Sequence, residues 1–311
     1  MEQMKQNQAE MFVDIPGFEN WEDVKEINKG WSDDKKYLIH TKNGEKRLLR
    51  TYSIEGYECK KKEYEIIKKY AKLGFPMSMP ISFGTCNQGK NVYMLLSWVE
   101  GEDLEETLPK LSKKEQYELG RSAGRILKAI HSIAVEEEDK PKQTKREKKL
   151  LQLQRYEESD LRVPDDENAI AYVKNNIHKI WSKPAVYQHG DFHPGNLIYM
   201  PSGKIGVIDF NRWEVGDPYE EFYKVESFAT GLSIPYCVGQ IDAYFDDNVP
   251  EEFWEVLAVY SAQAALFSIK WAEKFGQADI DNMTAVCLAT MEHFDNFKRC
   301  KPLWYDETMK F

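Results

Sequence analysis

Apolar and polar positions repeat with different periods along the chain, and each change of period marks an element. From Ile39 to Arg50 the pattern predicts a β-hairpin turning at Asn43-Gly44, a dipeptide that favours the positive backbone angles of a tight hairpin turn. Glu58 to Leu73 reads as a helix with Tyr64, Ile67 and Ala71 on one face. Val92 to Leu96 is an apolar strand, which the chain leaves at Ser97-Trp98-Val99-Glu100-Gly101. Ser112-Lys113-Lys114-Glu115 is a capping box that opens a long helix carrying Leu119, Ala123, Ile126, Leu127 and Ile130 on one stripe. Further on, Leu197–Met200, a turn at Pro201-Ser202-Gly203 and the run Lys204 to Phe210 predict a second hairpin. Residues 1–20 are expected to be loosely ordered, most residues after Asp279 to form a final helix, and no internal repeat is present.

These elements predict an α+β chain: an N-terminal antiparallel sheet with one helix, followed by a larger, mostly helical part. The boundary falls near Ser97–Glu100, giving expected units of residues 1–98 and 99–311. A length of 311 residues suits two modest domains. The most apolar stretch, Val256 to Ile269, is short and contains Ser261, Gln263 and Ser268, so it predicts a buried helix and no membrane span. Cys59, Cys86, Cys237, Cys287 and Cys300 are scattered, odd in number and without a C-x-x-C pair, as expected of reduced thiols in a cytoplasmic protein. The first residues are polar, with no sign of a signal peptide.

Charge changes the picture through its placement. The formal net charge is −10, from 42 basic and 52 acidic residues. Between Glu214 and Glu255 stand 11 acids against a single base, Lys224. Two readings apply. An acidic wall would concentrate a cationic ligand by electrostatic steering; alternatively, acids such as Glu251 and Glu252 after Val249-Pro250 occupy helix first turns. The acidic-then-basic run from Glu136 to Lys149 has no interleaved aromatics, and in an acidic chain it predicts a solvated surface and no nucleic-acid contact. No protein partner is evident.

The candidate chemistry lies at His189-Gly190-Asp191-Phe192-His193-Pro194-Gly195-Asn196, followed by Ile208-Asp209-Phe210. Phosphoryl transfer needs a carboxylate to orient a hydroxyl and further oxygens to hold Mg²⁺ on the phosphates. Asp191 and Asn196 have the spacing of the kinase catalytic loop H-R-D-x-x-x-x-N, and Asp209 follows an apolar strand as the D-F-G metal ligand does. A hairpin between them would return Asp209 beside Asn196.

The two motifs together resemble the aminoglycoside phosphotransferase and choline kinase family, and the resemblance extends over roughly residues 25 to 230. It implies a two-lobed protein-kinase-like fold, ATP (or GTP) and Mg²⁺ as cofactors, and transfer to a hydroxyl of a small, often cationic molecule. It assigns Asp191, Asn196 and Asp209 to catalysis, with Asn196 and Asp209 as the metal ligands. It places Arg50 where kinases carry a phosphate-steadying lysine and Glu63 as its helix partner, with Glu58 and Glu65 as rivals. Gly30-Trp31-Ser32 lies where a phosphate-covering loop belongs, without its glycine pattern, and Ser32 is the candidate donor. Ser97 and Val99 in the linker are expected to meet the nucleotide base. His193 stands where protein kinases place a γ-phosphate lysine; it either donates to that phosphate or bonds within its own loop. Asp217 is expected to cap a helix beginning at Pro218.

Several departures exclude a protein kinase. Gly190 replaces the catalytic-loop arginine, Asn211 replaces the glycine after Asp209-Phe210, and Gly216-Asp217-Pro218 follows too soon for an activation segment. The expected activity is ATP-dependent transfer to a cationic small molecule, with an aminoglycoside-like antibiotic favoured. A choline- or ethanolamine-type acceptor is the alternative, for which Tyr236, Tyr244, Trp254, Tyr260 and Trp271 would form a cation–π cage. A nucleotide-binding pseudokinase is the alternative of another class, resting only on the reduced phosphate loop.

Overall fold

The computed structural model describes residues 10–27, 34–306, 308 and 310–311. They belong to two compact units, Met1–Gly101 with Gly206–Asn211, and Glu102–Ile205 with Arg212–Phe311.

The first unit is a five-stranded antiparallel sheet of order β1-β2-β3-β5-β4, from β1 (Trp21–Ile27), β2 (Lys35–Thr41), β3 (Lys46–Ser53), β4 (Pro80–Cys86) and β5 (Asn91–Ser97). The β2–β3 hairpin turns where the sequence predicts, with Gly44 at φ 84°. Strand alternation then sorts the side chains onto two faces. Tyr37, Ile39, Leu49, Tyr93 and Leu95 share one face and pack with Phe12, Ile15 and Trp21. This corrects the expectation of a loose N-terminus for the described residues from Glu10 onward. Phe12 and Ile15 are buried as the cover of that face of the sheet.

Arg50 pairs with Lys36 on one neighbour and with Met94 on the other, and so belongs to the opposite face. Helix α1 (Tyr57–Tyr70) contacts β4 and β5 and buries Glu63, Ile66, Ile67 and Tyr70. Ile67 is thus buried as expected, while Tyr64 and Ala71 are only half-buried, and Tyr64 stacks on Phe83 at 5.4 Å. The segment Gly206–Asn211 joins this unit through Val207, whose N–H bonds Pro76 O at 2.9 Å and whose carbonyl accepts from Ser78 N at 3.1 Å.

The second unit is helical: α2 (Lys113–His131), α3 (Arg146–Glu157), α4 (Glu167–Asn176), α5 (Tyr223–Phe228), α6 (Ile234–Tyr244), α7 (Glu251–Ala272) and α8 (Gln277–His293). The capping box forms as expected, Glu115 N donating to Ser112 Oγ at 3.3 Å and Ser112 N to Glu115 Oε2 at 2.9 Å. Helices α2 and α6 meet backbone to backbone. A Cβ on Gly120 would lie 2.1 Å from Tyr236 O, and one on Gly239 would lie 2.3 Å from Tyr117 O. Helix α7 is the buried helix expected from Val256 to Ile269.

Short pieces of strand carry the loops that matter. Strand β6 (Glu102–Asp103) pairs with β8 (Leu197–Tyr199), and β7 (Val186–Gln188) pairs with β10 (Glu214–Gly216). The turn after β8 closes by Met200 N to Lys204 O at 2.9 Å, and the return strand β9 is only Ile205–Val207, shorter than the predicted run. All five cysteines are free thiols, and among the described residues no helix is long and apolar enough to cross a membrane.

Candidate active site

Strand β7 delivers the loop His189–Asn196 in the second unit, and the start of that loop is tied down by its backbone. The Glu221 carboxylate accepts from His189 N at 3.1 Å and Gly190 N at 2.7 Å. Glu221 is itself held by His131 Nε2 at 2.8 Å, whose other nitrogen meets Tyr244 Oη at 2.8 Å. His189 Nδ1 accepts from Asp191 N at 3.2 Å, a pin within the loop. Gly190 takes φ 81°, and a Cβ there would lie 1.8 Å from Arg212 O, so the position admits only glycine.

Asp191 projects from this scaffold. Its Oδ1 accepts from Lys224 Nζ at 2.5 Å, with His193 Nε2 and Arg212 Nε each 3.7 Å away. Burial alone would raise the Asp191 pKa. The nearby His193 and the charge of Lys224 outweigh it and hold the carboxyl well below the usual carboxylate range.

Asn196 Nδ2 donates to Asp191 O at 2.9 Å, which leaves Oδ1 as the oxygen it can offer outward. His193 stays in the loop: its Nδ1 accepts from Gly195 N at 3.2 Å and its ring stacks on Phe228 at 4.7 Å. Of the two roles open to His193, the described contacts are those of bonding within its own loop.

The first unit gathers the nucleotide candidates. Arg50 Nη1 donates to Glu63 Oε1 at 3.2 Å, whereas Glu65 is taken up by Lys68 at the surface. Asp209, at φ 62°, lies 3.0 Å from Lys36 Nζ and 3.5 Å from Arg50 Nη1. A left-handed non-glycine residue at such a position is strain of the kind that clusters at functional sites. Ser97 is committed to the fold, its N–H bonding Met79 O and its Oγ accepting from Met79 N, both at 2.8 Å. Trp98 N bonds Lys46 O at 3.3 Å, and Val99 N–H makes no such bond among the described residues. Ser32 lies outside the described residues.

Asn196, in the second unit, offers an oriented carbonyl oxygen, and Asp209, in the first, a carboxylate. Hard oxygen donors of this kind suit Mg²⁺.

Sequence reasoning missed Lys36, Asp34, Lys60, Glu221 and Arg212. It also counted Lys224 only as a lone base among acids, although an isolated cation in an acidic run was itself the signal.

The acidic stretch is not a wall. Glu220 pairs with Lys149 at 2.8 Å, Glu255 with Lys179 at 2.8 Å, Asp247 with Arg121 at 2.5 Å, and Asp246, Glu214 and Glu252 with Lys128, Lys145 and Lys183. Asp217 caps no helix from Pro218. It accepts from Tyr219 N at 3.0 Å and from Tyr260 Oη at 2.9 Å, an anchor between loop and core. The expected aromatic cage does not form among the described residues, since Tyr236, Trp254 and Tyr260 are buried in the helical core.

Neutralising Asp246, Asp247, Glu251 and Glu252 together is therefore expected to lower stability modestly, each exposed pair contributing about 0–1 kcal/mol. The salt dependence of the acceptor's second-order rate constant should stay as in the wild type. Thermal melts alongside kinetics at two ionic strengths check this, and a flattened salt slope would restore the steering wall.

The model of the phosphotransferase enzyme family matches residues 23–257. Among solved structures, the GDP complex of aminoglycoside 2'-phosphotransferase-IIIa aligns with a TM-score of 0.70 at 14% identity, over 92% of this chain and 97% of that one. An amicoumacin kinase in complex with AMP-PNP, Ca²⁺ and Ami gives 0.65 at 14% identity, over 97% and 95%. A gentamicin complex of APH(2")-IIa gives 0.63 at 17% identity, over 94% and 98%. At such identities the likeness speaks for the fold, which is the kinase-like fold of aminoglycoside kinases. No curated protein sequence matches at a significant level. The family model covers most of the chain, including the loop that carries Asp191 and Asn196, and the chain belongs to the phosphotransferase enzyme family, as a small-molecule kinase.

Proposed function

We propose that this kinase uses ATP or GTP to phosphorylate a hydroxyl of a cationic small molecule, with an aminoglycoside-like antibiotic as the favoured acceptor. The observation that supports it most is Asp191, a carboxylate kept ionised by Lys224 and His193 on a loop whose backbone Glu221 pins. Asp191 orients the acceptor hydroxyl. A carboxyl held well below its usual range is a weak base, which suits a loose transition state in which the proton leaves late.

Asn196 and Asp209 would hold Mg²⁺, which when bound offsets the charge of the phosphates. Arg50, braced by Glu63, steadies those phosphates, Val99 N–H meets the nucleotide base, and Ser32 is the donor of the covering loop. Ser97 and His193 support the fold around these groups. Solved neighbours hold GDP, ADP or AMP-PNP, which supports nucleotide use. With the acidic stretch paired, the cationic acceptor is supported by the gentamicin and kanamycin bound in neighbouring structures, and the choline reading loses its cage. Nucleotide use and free thiols fit a cytoplasmic enzyme.

The test is phosphate transfer from Mg·ATP and Mg·GTP to gentamicin, kanamycin, choline and a neutral sugar alcohol. Product is expected with an aminoglycoside. Preference for the neutral alcohol, or turnover with choline alone, would overturn the acceptor class.

A further inference from the structure

We propose that Asp34 is a carboxylate stand-in for a nucleotide phosphate at Arg50, so that phosphate enters only as Asp34 leaves, and Asp34 sets the nucleotide affinity. The inference rests on the nucleotide reading above and deepens it.

Arg50 is almost wholly enclosed, its side chain 2% exposed. The three carboxylates divide between the two terminal nitrogens of the guanidinium. Nη1 faces Glu63 at 3.2 Å and Asp209 at 3.5 Å, while Nη2 donates to Asp34 Oδ2 at 2.7 Å. Nε is buried and has no hydrogen-bond partner among the described residues. Nε and Nη2 together form the side edge of the fork, the edge that grips two oxygens at once. Asp34 fills half of it with one oxygen, and a buried donor left unmatched is costly, about 1–3 kcal/mol. A phosphate, with several oxygens on one tetrahedral centre, matches both donors. The edge is thus occupied by a partner that fits it worse than the ligand does.

Charge points the same way. Arg50, Lys36 and Lys60 balance Asp34, Glu63 and Asp209 within this cluster. Adding a phosphate to a balanced cluster sets it against Asp34, whereas moving Asp34 off Arg50 takes the competing charge away from the edge that the new anion would meet. A landing place exists. Lys60 Nζ lies 3.8 Å from Asp34 Oδ2, already held by Glu63 at 2.9 Å and set over the Tyr52 ring at 4.2 Å. A side-chain rotation at Asp34 exchanges Arg50 for Lys60 without leaving the carboxylate unpaired. Asp34 stands immediately before β2 at Lys35 and its side chain is 14% exposed, so it has solvent to move into, whereas Glu63 at 2% does not.

The experiment is calorimetric titration of the full chain with adenosine, ADP and ATP, for wild type, Asp34→Asn and Asp34→Ser. Both variants keep Glu63 and Asp209 around the buried Arg50, and a melt confirms folding. ADP and ATP are expected to bind about tenfold more tightly to both variants, a change equivalent to about 1.4 kcal/mol. Adenosine, which has no phosphate, should bind as it does to wild type. The same tightening for adenosine, or unchanged or weaker ADP and ATP binding, overturns the stand-in role. A wild-type chain that binds no nucleotide would instead overturn the nucleotide reading itself, and this proposal with it.

Discussion

Asp191→Asn is expected to lower turnover by about 10²–10⁴-fold, the usual loss when a positioned acid–base group is removed, while nucleotide affinity stays nearly as in wild type. In the proposed role the carboxylate serves the acceptor hydroxyl, and the nucleotide candidates Arg50, Glu63 and Asp209 lie in the other compact unit. The substitution has a second effect. Lys224, 8% exposed, donates to Asp191 at 2.5 Å and would lose its negative partner. An uncompensated buried charge is strongly destabilising, so the melting temperature should fall as well. Turnover and nucleotide titration must be read below that new midpoint.

The sign of the pH effect follows from the depressed pKa. Such a group contributes stability above the ordinary carboxylate pKa and loses it as pH falls through the lowered value. Asp191 therefore stays ionised across mildly acidic and neutral pH, and any loss of activity there belongs to other groups. Near-normal turnover in Asp191→Asn would remove it from the chemistry.

What the sequence disclosed and what it hid differ by the range of the interactions. The loop His189–Asn196 was legible because its chemistry is a matter of spacing within eight residues, and so was the Asn43-Gly44 turn. Arg50 and Glu63 came from resemblance, and the structure sets them 3.2 Å apart. Lys36 escaped notice although the register that pairs it with Arg50 places both on one face of the sheet.

Of the two readings of the acidic stretch, helix first turns hold at Glu251 and Glu252, and the steering wall depended on partners out of local view. The neutralising bases, Arg121, Lys128, Lys145, Lys149, Lys179 and Lys183, lie far upstream in the chain. A local tally of charge therefore saw acids without partners. The same blindness made a cage of aromatics that helix packing buries. Glu221 and His131 are 90 residues apart, and only the fold brings together the buried carboxylate that holds the loop His189–Asn196 by its backbone.

That backbone leads to the second large effect. Gly190→Ala is expected to cost about 10²-fold or more in turnover, the scale of a 1 Å misplacement of reacting groups. The added Cβ would sit 1.8 Å from Arg212 O and 2.6 Å from its carbonyl carbon, far inside contact distance. Backbone faces it, so no flexible side chain can swing away. Relief requires the loop to shift, and the next residue is Asp191. Gly190 N–H, which bonds Glu221 at 2.7 Å, moves with it.

The left-handed conformation adds about 1–2 kcal/mol of its own for a residue with a Cβ. Gly203→Ala separates the two contributions. That glycine has φ 75°, but an added methyl would meet nothing within 4 Å, so the variant should lose only the conformational part and keep its turnover. Melting temperatures and kcat for the pair decide the matter. If Gly190→Ala lost no more than Gly203→Ala in either measurement, close packing against Arg212 would not be what positions Asp191.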